Sequence, residues 1–261
     1  RLNKISTRNI LTLRYDITAE KPARELATVQ DFKKSFDDKG GHNTEKLLNE
    51  SFKEIGKFDK FSISLSGGID SSLCLALLRK NFPEAKITAV SGVFEGAFDE
   101  STYAKKLADK FDAEFFPIQM ESIYTKMPEI VYISRKPKWN TYNHLIAKKA
   151  KKFSKILVTG DGGDELFGGY IFRYKKFLDL VKPSDNWKTK TIKYLECHNR
   201  DWVPDQKSLF DKKIKFSWNE IYNYFRPYFN NKLSPLNQVM LADFNGKLLH
   251  DFIPTGNTIS S

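Results

Sequence analysis

The stretch "KFSISLSGGIDSSLCLALLRKNF", residues 60–82, decides the fold. Residues 60–65 form a short run with aromatic and β-branched side chains, which predicts a strand. The leucines that follow recur at helical spacing, which predicts a helix. Two glycines stand at the junction, where they allow the backbone to turn sharply. The stretch therefore predicts a strand, a tight turn and a helix in direct succession.

The same alternation continues to about residue 180. Further strands are predicted at residues 85–94, 113–119 and 155–160, and further helices at 44–56, 98–111, 121–132, 141–153 and from about Asp164. This order predicts an α/β fold, with a parallel sheet sandwiched by helices and right-handed crossovers. Beyond Val181 the strand signal fades, which predicts a helical C-terminal subdomain.

Three segments follow from this pattern. Residues 1–55 are predicted to be an N-terminal lead-in with helices, residues 56–180 an α/β domain, and residues 181–261 an incomplete helical subdomain. Within the lead-in, the pattern predicts a strand at Ile10–Tyr15 and a helix over residues 21–36.

Composition limits the classes of function. Of the 261 residues, 40% are hydrophobic and 29% charged, which is typical of a folded chain rather than a disordered one. Lys and Arg outnumber Asp and Glu by 43 to 32, so the net charge of +11 favours phosphorylated or polyanionic partners, or a lysine-rich solvated surface. Two cysteines without a CxxC pair fit a reducing compartment. With no membrane-spanning or signal-peptide run, we expect a cytoplasmic protein without a membrane partner.

The first glycine loop has the chemistry of a phosphate site. It lies at the carboxyl end of the predicted first strand, the edge where open α/β folds bind ligands. Gly67 and Gly68 permit close approach of a ligand, and the N–H groups of the next helix suit an anion. A carboxylate beside phosphates is repulsive unless a cation bridges them, so Asp70 predicts Mg²⁺.

A second loop, "VTGDGGDELFGGY" at residues 158–170, follows the predicted fourth strand. It holds three acidic residues and five glycines in thirteen positions. If the two loops meet at adjacent strand ends, Asp70 lies near Asp161 and Asp164. Such an oxygen-rich pocket suits one or two magnesium ions.

Both loops resemble known sequences. "SGGIDSS" resembles the pyrophosphate-binding loop of the N-type ATP pyrophosphatases, and "TGDGGDELFGGY" resembles the matching loop in the synthetase domain of the asparagine synthetase family. The resemblance covers about residues 55–180 and implies an adenine nucleotide alpha hydrolase-like, Rossmann-like fold. It also implies an AMP-forming ligase, in which a carboxylate attacks the α-phosphate of ATP and ammonia then displaces AMP to leave an amide.

The family's site residues carry over to matching positions. Asp161 is the candidate catalytic residue, although many relatives have Glu there, and the magnesium ligands are Asp70 and Asp164. The expected ATP-binding residues are Leu65, Ser66, Gly67, Gly68, Asp70, Ser71, Ser72, Val90, Thr159 and Gly160. The expected partners are a small carboxylate, aspartate or an analogue, and ammonia, with nucleic acid disfavoured.

Two departures from the family pattern leave alternatives open. The residues before position 55 leave no room for the glutaminase domain of asparagine synthetases, so we expect ammonia to come free, from a separate glutaminase, or from a part of the protein outside this sequence. The family's catalytic lysine segment has no assignable counterpart here. The alternatives are a tRNA-modifying ATP pyrophosphatase, which the +11 charge suits, and a catalytically incomplete nucleotide-binding protein.

Overall fold

The computed structural model describes residues 3–18, 22, 24–33, 38–94, 101–120, 122–134, 143–198 and 217–260. The chain divides into two compact units. One comprises residues 36–161 with 255–261, and the other comprises residues 1–35 with 162–254. The division of the sequence into three domains at residues 55 and 180 stays a prediction.

The first unit, residues 36–161 with 255–261, is built on a four-stranded parallel sheet. All four strands predicted between residues 60 and 160 are present, in the spatial order β3-β2-β1-β4. Their bounds are β1 Lys60–Ser64, β2 Lys86–Phe94, β3 Glu114–Met120 and β4 Leu157–Val158. Since β2 and β4 pair with opposite edges of β1, the strand order reverses between β1 and β4. Ligands of open α/β sheets bind at such a reversal, outside the carboxyl ends of the strands.

Helices cover both faces of this sheet, which confirms the predicted α/β class. The helices of the unit are α2 His42–Lys53, α3 Ile69–Asn81, α4 Ser101–Lys110, α5 Ile123–Ser134 and α6 Asn143–Ala150. On one face, Phe61 and Ile63 of β1 share a buried cluster with Leu75 of α3. On the other, Val90 of β2 packs with Ile146 of α6. Burial on both faces explains why the strands read as short apolar runs in the sequence.

The second unit is helical, which confirms the predicted helical C-terminal region. Its core is aromatic, with Phe177, Phe225 and Phe229 almost fully buried. The helices of this unit are α1 Lys4–Leu13, α7 Gly163–Phe167, α8 Ile171–Leu180, α9 Trp187–Cys197, α10 Trp218–Phe229, α11 Pro235–Asp243 and a π-helix Phe244–Phe252. The next helix, α12 Ile253–Ser260, begins in this unit, but its residues from Thr255 onward belong to the first unit. Among the helices in the described ranges, none combines the length and hydrophobicity needed to span a bilayer.

The predicted strand at Ile10–Tyr15 is wrong, because most of that stretch belongs to α1. Asn3 caps this helix, since its side-chain oxygen accepts hydrogen bonds from the backbone nitrogens of Ile5 and Ser6 at 3.0 and 3.2 Å. Arg14 ends it with φ at +66°. Local capping outweighed the β-branched composition of the segment.

The predicted helix over residues 21–36 is also wrong in its described part, since residues 22 and 24–33 contain no helix. The backbone hydrogen bonds of Ala27 go to a distant partner instead. Its N–H donates to Asn245 Oδ1 and its carbonyl accepts from Asn245 Nδ2, both at 2.9 Å. Thr28 is held in a local turn, because both its backbone N–H and its hydroxyl donate to Asp31. Tertiary pairing and turn chemistry overrode the helical pattern here.

Candidate functional site

The first residue of the loop after β1 is hydrogen-bonded to the neighbouring strand β2. The backbone N–H of Leu65 donates to the carbonyl of Val90 at 2.9 Å, and both side chains are buried. Gly67 then takes φ of +84°, a conformation that residues with a side chain rarely adopt. The chain thereby turns from strand to helix within the four residues 65–68, and α3 begins at Ile69.

Serine hydroxyls brace this turn from inside. Ser71 is buried, and its hydroxyl accepts from the backbone N–H of Ser66 at 3.3 Å and donates to the carbonyl of Gly68 at 3.2 Å. The hydroxyl of Ser72 donates to the same carbonyl at 2.7 Å. Ser66 is exposed, and its hydroxyl lies 3.2 Å from that of Ser71. The hydroxyl of Ser66 also accepts from the backbone N–H of Gly68 at 3.2 Å. The loop is therefore braced by its own hydroxyl groups.

The beginning of α3 supplies backbone donors at the same place. The first hydrogen bond inside this helix runs from the N–H of Ser72 to the carbonyl of Gly68 at 3.1 Å. The N–H groups of a first helical turn have no acceptor within the helix, and together they carry partial positive charge. A phosphate at this end would meet those donors and the hydroxyl of Ser66. Asp70, half-buried, stands in the same turn.

The loop after β4 packs directly on this turn. A Cβ atom placed on Gly160 would lie 2.8 Å from the backbone nitrogen of Ser71 and 3.1 Å from Cβ of Asp70. The carbonyl of Thr159 accepts a hydrogen bond from the thiol of Cys74 on α3, at 3.6 Å. The loop after β1 and the first residues of the loop after β4, up to Asp161, therefore meet at adjacent strand ends. The sequence predicted this meeting of the two loops.

Two carboxylates lie close enough to Cys74 to affect the pKa of its thiol. Burial, as the largest cause, and the negative charges of Asp70 and Asp161 together raise the pKa of the Cys74 thiol to about 11. Both carboxylates therefore act on the same sulfur atom. A cation near them would relieve their mutual repulsion.

These carboxylates fit a magnesium ion that arrives with a phosphate ligand. Among the described residues, no group of three or more His, Cys, Asp and Glu side chains is arranged to hold a metal ion. Mg²⁺ in nucleotide sites commonly takes only one or two protein carboxylates, with phosphate oxygens and water as its other ligands. Asp70, in the first turn of α3, offers a hard oxygen donor of that kind.

The acidic helix α7 belongs to the second unit. Its two carboxylates differ in environment. Asp164 is half-buried, whereas Glu165 is only 2% exposed and accepts a hydrogen bond of 2.5 Å from the hydroxyl of Tyr170. Burial raises the pKa of Glu165 above its ordinary value. Glu165 is therefore fixed by a tyrosine that the sequence reasoning did not connect with it.

A buried ionic network supports Tyr170. The guanidinium of Arg173 lies 3.6 Å from the centre of the Tyr170 ring, and its Nη2 lies 3.5 Å from Oδ2 of Asp243. Asp243 is fully buried and accepts hydrogen bonds from the hydroxyls of Tyr174 at 3.0 Å and Tyr194 at 2.6 Å. The aromatic face and the carboxylate thus hold the guanidinium from two directions.

The charges around Asp243 decide its ionisation. Burial alone raises the pKa of Asp243, but the nearby His198 ring and the charges of Arg173 and Lys247 outweigh it and hold the pKa well below its ordinary value. Sequence reasoning missed this network because Arg173 and Asp243 are far apart in the chain. Single charged residues inside the apolar stretches "YIFRY" and "VMLADF" were the available signal.

The predicted site residues are thus placed as follows. One group lies just beyond the carboxyl ends of β1 and β4 or in the first turn of α3: Leu65, Ser66, Gly67, Gly68, Asp70, Ser71, Ser72, Thr159, Gly160 and Asp161. Val90 lies in the middle of β2, where it pairs with Ser64 at the end of β1. Asp164 lies on α7, in the other unit. Its pairing with Asp70 around one metal ion stays a prediction.

Comparison with known proteins gives a consistent family assignment. A sequence profile of the family described as "Asparagine synthase" matches residues 43–251. A putative glutamine-hydrolyzing asparagine synthetase 2 from Methanocaldococcus jannaschii is 31% identical over 129 residues, which are 45% of this chain and 24% of that protein. The glutamine-hydrolyzing asparagine synthetase 1 of Bacillus subtilis is 35% identical over 124 residues, 46% of this chain and 19% of that protein. The chain thus spans about a fifth to a quarter of the length of these relatives.

Among solved structures, the NMN synthetase from Francisella tularensis aligns with 82% of this chain and 94% of its own. The sequence identity is 16% and the TM-score is 0.40. Similarity at this level carries no argument about function.

Proposed function

The chain belongs to the asparagine synthase family, and from this premise we propose that it is an ATP-dependent ligase that forms an amide through an acyl-adenylate. The observation that carries the proposal is the contact between Gly160 and the first turn of α3. This contact joins the two sequence motifs of the family at one edge of the sheet, where a nucleotide would meet both.

The loop after β1 would hold the pyrophosphate part of ATP. Its backbone turns at Gly67, which leaves room for phosphate oxygens, and the N–H groups at the start of α3 face the same space. The hydroxyls of Ser66 and Ser72 would add donors once the ligand competes for them. The buried side chains of Leu65 and Val90 would line the adenine side, and Thr159 and Gly160 would contact the nucleoside.

Asp70 and Asp164 are the proposed magnesium ligands. A bound Mg²⁺ would neutralise charge on the phosphates and on the departing pyrophosphate. Asp70 is suited to this role because it stands in the turn that would hold the phosphates. Its negative charge, with that of Asp161, is already evident in the raised pKa of Cys74.

The proposed reaction has two steps. An oxygen of the substrate carboxylate bonds to the α-phosphorus while the bond to the bridging oxygen breaks, which releases pyrophosphate. The nitrogen of ammonia then bonds to the acyl carbon, and AMP leaves with the carboxylate oxygen that it gained in the first step. Asp161, exposed in the loop after β4, would orient the nucleophile or accept the proton that the nitrogen loses.

The partners of the reaction follow from the same family. We expect a small carboxylate, with aspartate as the first candidate, and ammonia that is either free or delivered by a separate glutaminase. Such chemistry belongs to asparagine biosynthesis and takes place in the cytoplasm. Nucleic acid is not required as a substrate.

Pyrophosphate release tests the proposal. The chain would be incubated with ATP, Mg²⁺, ammonia and a panel of carboxylates that begins with aspartate, with the Asp161→Asn variant as the matched control. The proposal predicts pyrophosphate that depends on one carboxylate and falls strongly in the variant. Binding of ATP without pyrophosphate from any carboxylate would contradict it, and activity that requires tRNA would favour a tRNA-modifying enzyme instead.

A further inference from the structure

Two consecutive glycines end helix α7, and they differ in conformation. Gly168 has φ of +73°, so an L-residue there would be strained. Gly169 is absent from the residues with positive φ, so its backbone conformation is open to other residues. Its N–H donates to the carbonyl of Asp164 at 3.0 Å, which folds the turn back over the beginning of α7.

The space around the two glycines also differs, because a side chain would fit at Gly168 but not at Gly169. A Cβ atom on Gly168 would meet only the ring carbons of Tyr174, at 3.9 and 4.0 Å, which is ordinary contact. A Cβ atom on Gly169 would overlap Oδ1 of Asp164 and lie 2.9 Å from its Cγ. The carboxylate of Asp164 therefore lies across the backbone of Gly169, in space that any side chain would occupy.

The surrounding structure leaves the main chain little freedom to avoid such a clash. Tyr170, next to Gly169, is tied through its hydroxyl to Glu165, next to Asp164. The ring of Tyr170 is stacked on Arg173, which is held by buried Asp243. A side chain at residue 169 would therefore displace the carboxylate of Asp164 rather than the backbone.

We propose that Gly169 is a positioning residue for Asp164: its missing side chain sets the direction in which that carboxylate points. The inference rests on the proposed function, in which Asp164 is a magnesium ligand. It assigns separate tasks to the two glycines, because Gly168 permits the turn and Gly169 makes room for the carboxylate.

The magnesium dependence of ATP binding tests this role without requiring turnover. ATP affinity would be measured against Mg²⁺ concentration for the unaltered chain and for Gly169→Ala, Asp164→Asn and Gly168→Ala. We expect Gly169→Ala and Asp164→Asn each to raise the Mg²⁺ concentration for half-maximal binding by about tenfold or more, as loss of a supporting contact does at metal sites. Gly168→Ala should lower the unfolding temperature but leave that concentration unchanged.

A double-mutant cycle tests the steric contact by a measurement that does not involve metal. Gly169→Ala should lower the unfolding temperature of the chain that retains Asp164. In the background of Asp164→Ala, the same change should cost much less, because most of the atoms that it would overlap are gone. This readout also applies if Gly169→Ala alone is too unstable for ligand binding.

The outcomes distinguish failure of the positioning role of Gly169 from failure of the proposed metal role of Asp164. If Asp164→Asn raises the Mg²⁺ requirement but Gly169→Ala does not, or if both glycine variants raise it equally, the positioning role of Gly169 is wrong. If Asp164→Asn has no effect, the proposed metal role of Asp164 fails, and the inference fails with it. Equal destabilisation by Gly169→Ala in both backgrounds would refute the steric contact itself.

Discussion

Gly160, in the loop after β4, packs against the backbone nitrogen of Ser71 in the first turn of α3, where an added Cβ atom would lie only 2.8 Å away. This contact is possible because β1 and β4 are neighbouring parallel strands. It places the carboxylate of Asp161 close enough to Cys74 to affect the same thiol as Asp70. The proposed nucleotide site depends on this relationship more than on any other.

Replacing Gly160 with alanine should separate the two loops. The added methyl group would push against backbone atoms, which cannot rotate away as a side chain can. We expect the free energy of unfolding to fall by about 1–3 kcal/mol, the usual cost of overpacking, and ATP affinity to fall at least about tenfold, which corresponds to about 1.4 kcal/mol. Chemical denaturation and calorimetric titration with ATP and Mg²⁺ would measure the two effects.

Gly256→Ala is the matched control for that substitution. A Cβ atom at Gly256 has nothing within 4 Å, and the residue lies in helix α12. Alanine is the better helix former there by about 1 kcal/mol, so stability should stay equal or rise and ATP affinity should not change. Equal ATP affinity in the Gly160→Ala variant and the unaltered chain would count against the contact as part of the site.

Asp70→Asn should abolish the magnesium-dependent part of ATP binding. The amide keeps the shape of the side chain but removes the charge that a bridging cation needs. Asp109→Asn, at an exposed position of α4 in the same unit, is the control and should bind ATP normally. Titration of ATP with and without Mg²⁺ would decide, and an unchanged response to Mg²⁺ in Asp70→Asn would argue against its role as a ligand.

The thiol of Cys74 reports the local charge in the absence of any ligand. Its pKa is about 11, raised first by burial and then by Asp70 and Asp161. Since a negative neighbour disfavours the thiolate, Asp70→Asn and Asp161→Asn should each lower this pKa and speed alkylation at a given pH below it. Peptide mapping of iodoacetamide labelling between pH 8 and about 11 would follow Cys74 separately from Cys197. Identical profiles in both variants and in the unaltered chain would mean that the carboxylates lie too far away.

Asp243→Asn should strongly destabilise the helical unit. The change would leave the buried charge of Arg173 without its anion, at a cost of about 3–5 kcal/mol. The folded-state pKa of Asp243 lies below its unfolded value of about 3.9. Its stabilising contribution is therefore complete at neutral pH and is lost as the pH falls from about 4 towards the folded pKa.

Urea denaturation across this pH range would measure that contribution. Glu220→Gln is the control, since the Glu220 side chain is 60% exposed, although its partner Arg8 is only 11% exposed, and its loss should cost much less than that of Asp243. The difference in stability between the unaltered chain and Asp243→Asn should shrink in acid. A difference that is small at neutral pH would show that the network does not depend on the charge of Asp243.

The sequence predicted the sheet and the turn after β1 well, for local reasons. Strands that are buried on both faces give continuous apolar runs. The turn at Gly67 requires a positive φ, and the glycine that permits it is visible in the sequence. The N-terminal region was mispredicted because its structure depends on non-local partners. Ala27 is held by Asn245, more than two hundred residues away, and no periodicity in residues 21–36 contains that information.

The support of the acidic helix was invisible for a similar reason. The sequence shows Asp164, Glu165 and Tyr170 as close neighbours, but it does not show which carboxylate the tyrosine holds. In the structure, Tyr170 holds Glu165 and leaves Asp164 lying over Gly169. Only three-dimensional packing, with Arg173 on the ring of Tyr170, distinguishes these arrangements.

Transfer of an oxygen atom from the carboxylate to AMP tests the central claim most directly. A carboxylate that supports pyrophosphate release, aspartate in the first instance, would be labelled with oxygen-18 and incubated with the chain, ATP, Mg²⁺ and ammonia. Formation of an acyl-adenylate predicts one labelled oxygen in the phosphate of AMP and none in pyrophosphate. Label in inorganic phosphate with ADP as product, or AMP without label, would contradict it.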